Sequence, residues 1–313
     1  MSYAHAMRPG AGYGSGASEQ SLRRLQELGV SWISITPFGF QRRPQDATFR
    51  WFRATATNFG ESDERLVDVT RQAHALGIKV MLKPHLWLRP PDWPGSIEPK
   101  GEDGWREWFR TYREFILHYA LLARLSGMDA LCVGNELEKT TAREREWRDV
   151  IATVRAAYPG PITYGAGFEE VFRVRFWDAL DFIGVSAYYP LVDERAPGRA
   201  RLVAAWGPVV DRLAALSSTH GRKIVFTELG YRSADFGAWK QWEIQRSAPV
   251  NLAVQADAYG AFFDAVWPRQ WMAGVYWWKW FSHPGHSGPG SNDYELENKP
   301  AEKIVNMYYR TGG

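Results

Sequence analysis

Cysteine is almost absent from this chain: Cys132 is the one thiol among 313 residues. A disulfide framework within the chain is therefore excluded, and so is a zinc site built from several thiolates. Cys132 lies in the apolar run "DALCV", where a thiol reads as a small core residue. Long apolar runs are missing too, since none approaches the roughly 20 residues that a membrane helix needs. The opening residues "MSYAHAMRPG" lack the basic-then-apolar order of a secretory leader. The expectation is a soluble chain of unassigned compartment with no membrane partner. Blocks of one charge are also lacking. Lys and Arg number 38 against 35 Asp and Glu, and the resulting +3 is spread along the sequence, so nucleic acid is not an expected partner. The glycines of "RPGAGYGSGAS" (8–18) miss the G-x-G-x-x-G spacing, and no Lys-Ser/Thr pair follows them. This stretch reads as a flexible loop and not as a nucleotide cradle.

Aromatic residues, by contrast, are abundant. They make up 15% of the chain, with 16 Trp. Core packing absorbs many of them. An excess of Trp also suits a protein that offers flat apolar faces, and the C–H faces of sugar rings fit such surfaces.

Helix-like and strand-like segments alternate along the chain. Residues 18–29, 62–77, 103–126, 141–157, 168–179, 200–219, 250–266 and 300–309 have helical spacing or helical start and stop signals. Strands are expected over 2–7, 30–38, 78–88, 128–136, 161–167, 181–190, 223–230 and 272–281. Thr141 and Glu144 have the spacing of a capping box. "ELGVSWISI" and "ALGIKVMLK" both run from Leu-Gly straight into a strand, a repeated unit that marks parallel strands with crossover helices. With no linker and no break in composition, the expectation is α/β: a single catalytic (β/α)8 TIM barrel over 1–313. An open doubly wound sheet is the alternative.

Catalytic groups of such barrels stand at the C-terminal ends of the strands. Those ends carry Lys83, His85 and Trp87, then Asn135 and Glu136, Tyr188 and Tyr189, Thr227 and Glu228, and finally Tyr276 to Trp280. Glu136 alone reads as a surface acid beyond a strand. Glu228, flanked by apolar residues in "VFTELGY", is harder to place without a purpose. Two glutamates closing two strands of one barrel fit glycoside hydrolysis. That chemistry needs one protonated carboxyl to donate to the leaving oxygen and one ionised carboxylate to attack the sugar or activate water. Different environments would split their pKa values.

The segments "VGNELE", "GVSAYYPL", "FTELGY", "GVYWWKWF" and "MLKPHLW" resemble glycoside hydrolase family 113, the β-mannanases of the retaining (β/α)8 clan. The resemblance runs in order through nearly the whole barrel. It implies Glu136 as the general acid/base, Glu228 as the nucleophile and Asn135 as the ligand of the sugar 2-hydroxyl. It further implies Tyr188 as the hydrogen-bond partner of the nucleophile, Trp278 as the sugar platform, and His85 as a partner of substrate or of neighbouring groups. Trp277 and Trp280 are alternatives to Trp278, although strand alternation groups 276, 278 and 280 on one face. Lys83 reads equally as a sugar contact or as an internal lysine paired with an acid. Trp87, Trp93 and Trp105 read as loop packing or distal platforms, and Glu138 as a solvated neighbour. His283 and His286 lack nearby ligand types, so no metal and no cofactor are expected. The implied substrate is a β-mannan-type polysaccharide or oligosaccharide, with no obligatory protein partner. A related β-glycan, or sugar binding without catalysis, are the other readings.

Overall fold

The computed structural model describes residues 1–6, 8, 10–51 and 61–311. Nine parallel strands form one sheet: β1 (Ser2–Ala4), β2 (Trp32–Ile35), β3 (Lys79–Leu82), β4 (Ala130–Asn135), β5 (Ile162–Gly167), β6 (Ile183–Ser186), β7 (Ile224–Leu229), β8 (Met272–Trp277) and β9 (Trp280–Phe281). The spatial order is β8-β7-β6-β5-β4-β3-β2-β1-β9. Strand β8 pairs with β7, whereas β9 pairs with β1 through Tyr3↔Trp280 and Ala4↔Phe281. The two residues between β8 and β9 thus carry the chain from one end of the ladder to the other and close the barrel. The expected last strand, 272–281, is in fact these two pieces.

Among the described residues seven α-helices flank the sheet: α1 (Gly16–Glu27), α2 (Asp63–Ala75), α3 (Gly101–Ser126), α4 (Glu144–Ala157), α5 (Arg199–His220), α6 (Leu252–Ala265) and α7 (Pro300–Thr311). The repeated Leu-Gly unit has a direct physical meaning. Gly29 and Gly77 take φ of 83° and 71°, a region that favours glycine. The next amide then turns back to the helix, with Val30 N–H donating to Leu25 O and Ile78 N–H to Ala73 O, both at 3.0 Å. This cap ends each helix and starts each strand in the same direction.

Other expectations are corrected. Strand 2–7 shortens to Ser2–Ala4, and Met7 lies outside the described residues. The stretch expected as a loop over 8–18 already contains the start of α1, capped by the Ser15 hydroxyl accepting from Ser18 N–H. Within it Tyr13 is buried and donates its hydroxyl to Tyr3 O. Thr141 and Glu144 form no capping box. Thr141 Oγ1 donates to Glu138 O inside a 3-10 turn, Glu138–Ala142, and α4 begins at Glu144. Residues 168–179 form two 3-10 turns, Glu170–Phe172 and Trp177–Ala179, instead of a helix. Phe176 and Trp177 there are fully buried against Trp147 and Tyr164, so tertiary packing overrides the local pattern. The expected strands 30–38 and 78–88 each break at a proline, Pro37 and Pro84, which has no N–H for the ladder. Beyond those prolines the chain forms a separate three-stranded sheet from Phe38–Phe40, Arg50–Trp51 and His85–Trp87.

Most of the aromatic wealth lies between sheet and helices, where Trp108, Trp147, Trp177, Trp206, Trp277 and Trp280 are all buried. Inside the barrel sit Met81, Ala130, Cys132 and Tyr276. Cys132 is fully buried, and its desolvation pushes the thiol up to about 11, so it stays neutral. At Gly134 a Cβ would stand 2.7 Å from the Trp147 ring, 2.8 Å from the Tyr164 ring and 3.0 Å from the Tyr112 hydroxyl. Gly134→Ala is accordingly expected to cost about 1–3 kcal/mol by overpacking, read as a lowered midpoint in thermal or urea unfolding. An unchanged midpoint would show that the three rings can move aside.

Candidate active site

Two irregular strand ends bring the candidate groups together. Against β5, the register of β4 shifts between Cys132 and Asn135. Against β6, that of β7 shifts between Phe226 and Glu228. Such bulges bend a strand end and re-aim its side chains. Asn135 is buried, and Gly165 on β5 leaves it room, since a Cβ there would lie 2.5 Å from Asn135 Oδ1. Glu136 follows with φ 52°, a left-handed conformation that is costly for a glutamate and that clusters at functional sites. Its amide is satisfied by Gly165 O at 2.8 Å.

Glu228 lies at the centre. Lys83 Nζ stands 2.5 Å from its Oε1 and also donates to Thr227 O at 3.1 Å. Tyr188 donates its hydroxyl to Oε2 at 3.0 Å, and Asn135 Nδ2 reaches Oε1 at 3.5 Å. His85 Nε2 is 3.5 Å from the same oxygen. Burial alone would raise the Glu228 pKa, but the Lys83 charge, His85 and the hydrogen bonds outweigh it, so the carboxyl titrates below the ordinary range. Glu136 behaves oppositely. Burial first, then the Glu228 and Glu170 carboxylates, push it up to about 8. His85 is pushed down to about 3, by burial and then by Lys83, and is neutral near pH 7. One carboxyl is therefore ionised and the other protonated at neutral pH, the division that acid–base chemistry on a sugar requires.

The remaining candidates divide. Trp278 is partly exposed, and its ring centroid lies 5.9 Å from Lys83 Nζ. Its carbonyl packs against Gly230, where a Cβ would come within 2.2 Å. Of its two readings Lys83 has the geometry of the internal lysine paired with an acid: it is fully buried behind Glu228, its ammonium engaged with protein oxygens. Trp280 is also corrected. It is buried on the helix side, its indole N–H donating to Ser21 Oγ of α1 and Arg24 covering the ring. Alternation misplaced it because β8 ends at Trp277 and pairing resumes only at Trp280. Trp277 likewise packs among Tyr259, Phe262 and Phe263. Trp105 packs on Phe109 under Arg143, and Glu138 pairs with Arg173. Trp87 and Trp93 remain close to half exposed. Among the described residues no cluster of three or more His, Cys, Asp or Glu is fit to hold a metal.

Two participants were not visible in the sequence. Tyr294, on the loop after β9, sets its ring 6.2 Å from that of Tyr188. Glu170, buried in the turn after β5, accepts from Tyr164 Oη at 2.6 Å and Gly167 N–H at 2.7 Å. Tyr164 Oη in turn accepts from Leu137 N–H at 2.8 Å, so this relay braces the backbone next to Glu136. A cavity of about 520 Å³ lies at the opposite, N-terminal end of the barrel, lined by Met1, Trp32, Phe182, Val225 and Tyr276. It is remote from these groups and mostly apolar, and of the strand-end candidates only Tyr276 lines it.

Residues 1–299 match the model of Glycoside Hydrolase Family 113. The chain belongs to this family. It is similar to the GH113 β-mannanase AaManA from Alicyclobacillus acidocaldarius, solved in complex with ManMIm. The identity is 30% over 97% of this chain and 95% of that one, with a TM-score of 0.85. A second GH113 β-1,4-mannanase, also solved as a complex, is 28% identical over 96% of this chain and 97% of that one, with a TM-score of 0.84. The endo-β-1,4-mannanase of Thermotoga petrophila shares the fold at 15% identity and a TM-score of 0.59, covering 99% of this chain and 75% of that one. No functionally curated protein sequence matches significantly. The family 113 chain is thus a glycoside hydrolase with a TIM barrel, and no helix among its described residues is long and apolar enough to cross a membrane.

The raised pKa of Glu136 has a sign for stability. The folded state binds its proton more tightly than the unfolded chain, so stability is lost as pH rises from about 4 to about 8. Glu136→Gln is expected to unfold at a higher temperature than wild type at the alkaline end of that window, and the two should converge at the acid end. Glu170→Gln removes one negative neighbour and should lower the Glu136 titration midpoint, measured by carboxyl-resolved NMR.

Proposed function

We propose that this chain is a retaining endo-β-1,4-mannanase acting on mannan, glucomannan or manno-oligosaccharides, with the barrel of residues 1–313 as one catalytic unit. The observation that carries this reading is the placement of two carboxyls, Glu136 just beyond β4 and Glu228 in β7, at two strand ends of a family 113 barrel, with surroundings that favour opposite protonation. The manno-specific part rests on the relatives, one a β-mannanase and the other a β-1,4-mannanase.

In the first step the ionised Glu228 attacks the anomeric carbon, and the C–O bond to the leaving sugar breaks. Glu136 gives its proton to the departing oxygen, leaving a covalent glycosyl–enzyme and an ionised Glu136. In the second step Glu136 takes a proton from water, the resulting hydroxide attacks the anomeric carbon, and Glu228 leaves as carboxylate. The Tyr188 hydroxyl and the Lys83 ammonium favour the charged form of Glu228 at both ends of this cycle. Once Glu228 is esterified its negative charge is gone, so the pKa of Glu136 falls and base catalysis becomes easier. Asn135, next to Glu228 Oε1, serves the 2-hydroxyl, and neutral His85 offers hydrogen bonds to substrate. Trp278 supplies the flat face under the sugar.

Reducing-sugar release from mannan tests the reading. Glu228→Ala is expected to lower kcat by about 10³-fold or more, and a variant as active as wild type overturns the nucleophile assignment. A polysaccharide panel separates mannan from another β-glycan. The pH profile of kcat/KM should be bell-shaped, because activity needs Glu228 ionised and Glu136 protonated. Its alkaline limb falls near 8, set by Glu136, and its acid limb lies below the usual carboxyl range. An alkaline limb insensitive to Glu136→Gln would remove Glu136 from the acid role.

A further inference from the structure

The small outer sheet has two unlike faces. Strand Phe38–Phe40 pairs in parallel with His85–Trp87, in the register Phe38↔His85, Gly39↔Leu86 and Phe40↔Trp87. Side chains alternate across a strand, so Gly39 and Leu86 share one face. That face is packed: Leu86 is buried, and a Cβ on Gly39 would stand 2.8 Å from Leu86, 3.2 Å from Phe115 of α3 and 3.3 Å from Phe49. The opposite face carries Phe38, His85, Phe40 and Trp87.

These four rings form a ladder of two rungs. The inner rung is His85 against Phe38, edge to face at 5.5 Å. The outer rung is Trp87 against Phe40, also edge to face, at 6.0 Å. Phe38 and Phe40 lie 6.4 Å apart along the strand. The inner rung opens on the proposed nucleophile, since His85 Nε2 is 3.5 Å from Glu228 Oε1. Exposure rises outward: the His85 side chain is 12% exposed, Phe40 37% and Trp87 44%. Single exposed aromatics are ordinary on protein surfaces. Trp87, however, stands two residues along the same strand from His85, whose ring lies 3.5 Å from the reacting carboxylate, and so adjoins the catalytic pocket. The two-residue step along a strand, about 6.6 Å, is on the scale of one sugar unit.

We propose that Trp87, with Phe40 set edge to face against it, forms a separate sugar-binding platform, one rung outward from the catalytic pocket, that stacks on a neighbouring β-linked mannose unit of the bound chain. The assignment rests on the mannanase reading above. The platform takes the apolar C–H face of the pyranose, while its hydroxyls stay in water. It makes the enzyme favour chains long enough to cover both the reacting subsite and the ladder, and it acts on binding, not on bond cleavage.

The test compares two substrates on wild type, Trp87→Ala and Trp87→Phe. Mannohexaose spans the ladder, whereas β-mannosyl fluoride fills the reacting subsite alone. The ratio of kcat/KM for mannohexaose to that for the fluoride is expected to fall about tenfold in Trp87→Ala, through the loss of one buried aromatic contact, and mostly through KM. Trp87→Phe should recover part of it. An unchanged ratio overturns the platform, as does a loss shared equally by both substrates. The two failures are distinguishable. A wild type that cleaves neither mannan nor mannohexaose sinks the mannanase reading. A wild type that cleaves them, beside a Trp87→Ala variant with an unaltered ratio, sinks the platform alone.

Discussion

The candidate site depends on a lysine ammonium shut off from water against a carboxylate. Lys83 and Glu228 come from opposite strands of the barrel, and neither tolerates burial without the other. Removing one leaves an uncompensated charge in a packed interior, so the pair is weak evidence for stability but strong evidence for a fixed charge state. It occupies one negative charge with one positive charge, and every neighbouring group adjusts to that. Glu136 keeps its proton first because of burial and second because Glu228, held ionised, faces it with a standing negative charge. His85, largely buried and beside an ammonium, stays neutral. At neutral pH these four side chains carry no net charge, although two of them are ions.

Backbone devices deliver those side chains. The bulges in β4 and β7 lie directly before Asn135 and Glu228, and Glu136 takes a left-handed turn to leave the sheet. The relay from Leu137 through Tyr164 to Glu170 holds that turn from behind with three hydrogen-bonding groups, two of them fully buried side chains. Local strain at Glu136 is thus matched by order in the turn that follows β5. This also gives the absent helix after β5 a reason. A regular helix there would carry Glu170 away from the position in which it braces β4.

Much of this was readable in the sequence, and the failures have particular causes. The barrel followed from repeated Leu-Gly stops, and the two glutamates stood out because apolar residues enclose Glu228. Lys83 was ambiguous, since sequence places it on the inner face but does not say how deep its ammonium lies. Trp280 was misread because alternation holds only within an unbroken strand. Glu170 and Tyr294 could not be found by pattern. Neither ends a strand: Glu170 acts through a hydrogen bond with the Tyr164 hydroxyl across an irregular turn, and Tyr294 through a ring contact with Tyr188, far away along the chain.

Closure of the barrel also ties together in time two strands that lie far apart in sequence. The ladder between β1 and β9 joins Tyr3 to Trp280, and it is reinforced by Ala6 N–H donating to Ser282 Oγ and Ser21 Oγ donating to Phe281 O. These contacts span about nine-tenths of the sequence. Their loop-closure entropy must be met before they contribute, which makes them late events in folding. During synthesis β1 is therefore made long before its partner β9. Until β9 arrives, one edge of β1 has no strand beside it, and the growing barrel carries an open edge of the kind that invites pairing with other chains.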